Sequence, residues 1–133
     1  MPSSKGYKRN YGSNRITTEY QYALISGNWS RYLSRLIYAG GKKREHLTVE
    51  ILMGILEDQD YKCALSGLPL TCQLEKGKKF PFNVSIDRVE PGGPYTKENI
   101  QLVGRSLNSW RADTKVEDFI FICRAVADYN KEN

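Results

Sequence analysis

Asp87, Arg88, Asn99 and Asn108 lie within the stretch SIDRVEPGGPYTKENIQLVGRSLNSW, which runs from Ser85 to Trp110. A carboxylate and a carboxamide both present oxygen donors, which suit a hard cation such as Mg²⁺. Two protein ligands leave positions for water and phosphate oxygens, and an open site of that kind supports Lewis-acid phosphodiester chemistry. Arg88 adds a guanidinium that stays protonated at any working pH. It is a poor general base and a good clamp for a phosphate or for developing negative charge. Spacing alone does not bring Asp87 to Asn108, so secondary structure must do it.

The hydropathy pattern supplies the elements. Phe82, Val84 and Ile86 alternate with Asn83, Ser85 and Asp87, the signature of a half-buried strand. EPGGPY reads as a loop, in which Gly92 and Gly93 allow a tight turn and do not form a nucleotide-binding loop. NIQLV reads as a second short strand and GRSLNSWRA as a short helix. In this ββα order, a helix folded back across the hairpin lets Asp87 and Asn108 converge. Arg105 and Arg111 flank Asn108 and are expected on a DNA-facing side of the helix. Thr114 and Glu117 suggest a capping box for a last helix that buries Val116, Phe119, Ile120, Cys123, Val126 and Ala127.

Upstream, Trp29, Tyr32, Leu33, Leu36 and Ile37 follow the spacing of an amphipathic helix, ended by Gly40-Gly41. Lys42, Lys43 and Arg44 come next, in a basic connection. Thr48 is a good N-cap for a second helix, with Leu47 and Leu52 as a hydrophobic staple and Ile51, Leu52, Ile55 and Leu56 as its buried stripe. KCALSGLPLT reads as extended with a turn at Ser66-Gly67. Trp29, Trp110, Tyr32 and Phe119 read as core aromatics. Residues 1–15 carry Lys5, Lys8 and Arg9 with interleaved tyrosines and read as a flexible basic arm.

The chain has 133 residues, 40% hydrophobic and 11% aromatic, which fits one foldable domain. It contains no apolar run long enough for a transmembrane helix, and its basic start lacks the apolar centre of a signal peptide. Three cysteines, an odd count, argue against a disulfide framework and for a reducing compartment. A net charge of +5 makes nucleic acid the leading partner, because clustered Lys and Arg neutralise phosphates.

Taken in order, YKCALSGLPL, SIDRVEPGGPYTKENIQLV and LNSW resemble the HNH endonuclease family, in particular small phage-type and restriction-type members with Asp-Arg in place of Asp-His. The resemblance spans about Arg44 to Tyr129. It implies an α+β fold in which a ββα-metal core at 61–133 comes after a helical DNA-contacting part at 16–60 and the arm at 1–15, closed by a C-terminal helix. It implies a metal-binding aspartate at Asp87, an arginine at Arg88 where the usual general base stands, a loop-pinning Asn99, and a second metal ligand at Asn108. The expected activity is Mg²⁺- or Mn²⁺-dependent cleavage of double-stranded DNA in the host cytoplasm, as for a phage- or mobile-element-encoded nuclease. A homodimer is a compatible state, since one such site cuts one strand at a time. The alternative is a non-catalytic DNA-binding module on a degenerate HNH core.

Two departures from the family pattern matter. Many HNH proteins carry a zinc site of two Cys-x-x-Cys pairs; here Ser66 stands where the partner of Cys63 belongs, and Val103 to Leu107 contain no cysteine. Tetrahedral zinc needs about four ligands, so no structural zinc is expected and Cys63 reads as a small buried hydrophobe. Arg88 also leaves open which group activates the nucleophile. His46, the only histidine, Tyr61, and a metal-bound water are the three candidates.

Overall fold

Asn28 and Thr48 act alike at two helix starts. Asn28 Oδ1 accepts the Arg31 N–H at 3.0 Å, and Thr48 Oγ1 accepts the Ile51 N–H at 3.1 Å. Each satisfies a donor that the first helical turn leaves free. The helices they open are α1, Trp29–Ala39, and α2, Val49–Asp58, joined by a 3-10 turn, Gly41–Arg44. The computed structural model describes residues 19–131, and residues 19–25 form a helical segment before α1. The expected arm, with Lys5, Lys8 and Arg9, lies outside the described residues.

α1 and α2 pack together through fully buried Leu33, Leu52 and Leu56, and Leu47 is buried beside them as the staple pattern requires. Beyond α2 the chain makes isolated bridges, Lys62 to Pro69 and Thr71 to Asn83, around a turn in which Gly67 takes φ +74°. The sheet has two antiparallel strands, β1, Val84–Arg88, and β2, Ile100–Gly104. Their register pairs Val84 with Gly104, Asp87 with Gln101 and Arg88 with Ile100. Helix α3, Arg105–Arg111, starts where β2 ends and packs across both strands, giving an α+β architecture.

Two strands alone do not hold a stable sheet in water. Here α2 braces β2 through Gln59, whose carboxamide meets both backbone groups of Leu102. Gln59 Nε2 donates to Leu102 O at 2.9 Å, and Leu102 N donates to Gln59 Oε1 at 3.0 Å. Buried Asn83 does similar work before β1: its Oδ1 accepts from Thr71 Oγ1 and Gln73 N, and its Nδ2 donates to Gln73 O.

Three expectations are corrected. Helix α4, Val116–Asn130, buries none of its residues; Val116 and Phe119 are half-buried, and Ile120, Cys123, Val126 and Ala127 are exposed. Its apolar periodicity reports a face, not what the face meets, and α4 makes few contacts with the other elements. Its N-cap is Lys115, with no side-chain hydrogen bond, so Thr114 does not cap it. Trp110 is 73% exposed and is no core residue. No helix among the described residues is long and apolar enough to cross a membrane.

Candidate active site

The register that pairs β1 with β2 sets Gln101 opposite Asp87. Gln101 Nε2 donates to Asp87 Oδ2 at 2.9 Å, and Arg111 Nη1 donates to Oδ1 at 2.6 Å. Asp87 is 4% exposed and Arg111 is 1% exposed. Burying a carboxylate is costly without a partner, and this guanidinium supplies one. Arg111 Nη1 also reaches Arg88 O at 2.9 Å, and Nη2 reaches Val89 O at 2.8 Å, tying the end of α3 to the end of β1. Its Nε lies buried without a hydrogen-bond partner.

This corrects the reading of Arg111 as a DNA-facing residue. Residues three apart share a helix face, so an Asn108 turned toward β1 brings Arg111 with it. Asn108 Nδ2 donates to Ser85 Oγ at 2.7 Å and to Ile86 O at 3.3 Å, which leaves Oδ1 as the oxygen available to a ligand.

Asp87, Arg88 and Asn108 line one cleft of ≈ 100 Å³, shared with Arg44, Pro91, Tyr95, Ala112 and Asp113. Arg88 Nη1 donates to Gly93 O at 3.0 Å, and its guanidinium carbon lies 4.8 Å from the centre of the Tyr95 ring. Arg44 lies 4.9 Å from the same ring centre and donates to Leu36 O at 2.8 Å. His46 is exposed and is not among the residues lining the cleft; its Nε2 donates to the carbonyl of Tyr95, which is, and Nδ1 is the ring nitrogen left free of that bond. Tyr95 thus gathers Arg44, Arg88 and His46. Sequence reasoning missed it, and missed Asp113. The signal for Tyr95 was an aromatic in the loop between Arg88 and Asn99.

Asn99 holds that loop. Its Oδ1 accepts Glu90 N at 3.0 Å and its Nδ2 donates to Pro94 O at 2.9 Å, while its own carbonyl accepts Val89 N at 2.8 Å. A Cβ on Gly93 would come within 2.6 Å of Asn99 Nδ2, so this close approach needs glycine.

Tyr61 does not line the cleft. The chain leaves α2 through positive φ at Asp60 and Tyr61, 56° and 59°, and the Tyr61 ring meets Trp29 edge-on at 5.4 Å. Lys42 and Lys43 are exposed on the 3-10 turn beside Arg44, and Arg105 is exposed on α3. Cys63 is buried, and its Sγ accepts the Gly104 N–H at 3.3 Å. Burial pushes its thiol up, but hydrogen bonds from Ser66 and from the Gly104 and Leu65 backbone outweigh this and leave it below the ordinary cysteine value.

The charged groups lining the cleft balance, Arg44 and Arg88 against Asp87 and Asp113, and the buried Arg111 behind Asp87 adds one further positive charge. The donor chemistry suits a small hard cation. A carboxylate has about four lone-pair sites, so Asp87 keeps capacity beyond its two hydrogen bonds, and Asn108 Oδ1 is nearby on the same wall. Among the described residues no group of three His, Cys, Asp or Glu side chains forms a cage, and Mg²⁺ held by one or two carboxylates and water does not need one. Set against protein-family models, curated proteins and solved structures, the chain matches none, so the reading of this cleft rests on its own residues.

Proposed function

We propose that this chain is a divalent-metal-dependent DNA endonuclease of the HNH type, with β1, β2 and α3 as its ββα-metal core. The observation that carries this reading is the convergence of Asp87, Arg88 and Asn108 on one polar cleft. Asp87 and Asn108 would hold Mg²⁺ or Mn²⁺, which supplies Lewis-acid stabilisation of charge on the scissile phosphate and leaving oxygen. Arg88 and Arg44, steadied on Tyr95, grip the non-bridging phosphate oxygens. Lys42 and Lys43 contact flanking phosphates. His46, tied to the Tyr95 carbonyl but outside the cleft lining, would accept a proton from water through Nδ1.

A second reading, a non-catalytic DNA-binding module on the same core, is favoured by one observation. Both Asp87 oxygens are already engaged, by Gln101 and by Arg111. Nicking of supercoiled plasmid in Mg²⁺ or Mn²⁺, and in EDTA, separates the two. The nuclease reading expects metal-dependent nicking that falls by about 10²-fold or more in Asp87→Asn and Asn108→Ala, the scale for losing a preorganised electrostatic contact. Duplex binding without nicking in either metal establishes the binding module instead.

A further inference from the structure

A second concavity lies on α3 away from the cleft. It is a groove of ≈ 410 Å³ lined by Trp110, Phe80, Arg105, Lys79, Ser106 and Ser109 among others. That volume is in the range of small-molecule sites, ~300–1,000 Å³. An indole 73% exposed to water loses the burial that usually favours tryptophan. Beside it stand two cationic side chains, Arg105 and Lys79, and two hydroxyls. An aromatic face next to cations and hydroxyls recognises a planar ring joined to a phosphate.

We propose that this groove takes an unpaired nucleotide of the substrate strand, its base stacked on Trp110 and its phosphate held by Arg105 and Lys79. The preferred substrate then carries an unpaired base beside the cleft, as a gap, flap or overhang does. The substrate preference rests on the nuclease reading; the stacking site does not. In an intact duplex each base already has both faces covered, and an enzyme that uses a base face must find it unstacked or extrude it. Asn108 and Trp110 are two residues apart on α3, so they point about 200° apart around a helix ~10–12 Å across.

The chain's two tryptophans, Trp29 and Trp110, make the test direct. In a Trp29→Phe protein the emission comes from Trp110 alone. If that variant folds poorly, the difference in emission between parent and Trp110→Phe gives the same signal. In EDTA, the protein is titrated with short oligothymidylate, with an abasic oligomer of equal length, and with a fully paired duplex. Oligothymidylate should quench Trp110 strongly and the abasic oligomer should not. Trp110→Ala should bind oligothymidylate about tenfold more weakly, the scale of one base–aromatic stack, and Trp110→Phe should retain most of the affinity. With metal, a gapped duplex should be cut faster than an intact one, and Trp110→Ala should lose that preference. Equal quenching by the abasic oligomer, or unchanged oligothymidylate affinity in Trp110→Ala, overturns the stacking site. Equal cutting of gapped and intact duplex overturns the substrate preference. Quenching by oligothymidylate in a protein that nicks nothing leaves the stacking site standing and removes the nuclease reading.

Discussion

Replacing Arg111 removes three hydrogen bonds at once, to Asp87, Arg88 and Val89, and strands a buried carboxylate. Arg111→Ala should cost about 3–5 kcal/mol in urea unfolding, the range for breaking a buried pair on one side. Arg111→Lys should recover only part, because an ammonium lacks the planar fork that reaches two carbonyls and a carboxylate. The same pair makes Asp87→Ala an ambiguous test of catalysis, since it unpairs Arg111; Asp87→Asn keeps the shape and one acceptor for Arg111, and Gln101 can turn its amide to accept from the new NH2. Tyr95 acts through its ring and its carbonyl. Tyr95→Ala should lower the nicking rate about tenfold, the scale of a cation–π anchor of roughly 1 kcal/mol or more on two arginines. The Tyr95 ring also packs against the core, so Tyr95→Ala should lower the melting temperature as well and its nicking is read well below that temperature, while Tyr95→Phe should nick at near the parent rate. The meeting of Asp87 and Asn108 in one cleft was legible, because a helix folded back across the hairpin brings a strand-end residue to one inside the helix. Arg111 was not, because an arginine in a basic segment reads as solvated, although its distance of three residues from Asn108 already placed it on the buried face.

Among the elements, those set by local rules were readable. Thr48 caps α2, Gly40 ends α1, and alternation marks β1. Connections made by single side chains across the chain were not: nothing local announces that Gln59 binds Leu102 or that Asn83 binds Gln73. α4 failed for the opposite reason, since its local pattern is strong and its tertiary partner is missing among the described residues. The loop between β1 and β2 depends on Asn99. Asn99→Ala leaves Glu90 N and Pro94 O without their partner. The expected cost is about 1–2 kcal/mol for two lost hydrogen bonds, seen as a lower urea midpoint and faster amide exchange confined to residues around Val89 and Gly93. A uniform rise in exchange across α1 and α2 would show instead that Asn99 supports the whole fold.

At the scale of the molecule, the described residues divide into a packed body and one helix outside it. Deleting α4 removes no buried side chain among the described residues, so a chain ending at Thr114 should melt within a few degrees of the full one, a shift that corresponds to less than about 1 kcal/mol. A loss of cooperative melting would mean that α4 holds the body together. α4 also sets how the protein behaves in concentrated solution. Phe121, Ile122, Val126 and Tyr129 stand in water, at 73% exposure for Phe121 and 83% for Tyr129; Ile122, Val126 and Tyr129 fall on one face by helical spacing, and exposed apolar surface of this kind drives self-association. Like charge on the molecules, +5 for the whole chain, opposes that association and is screened by salt. Clarity of a concentrated stock is therefore governed by ionic strength through a single helix: light scattering should rise with added salt for the full chain and stay flat for the chain ending at Thr114.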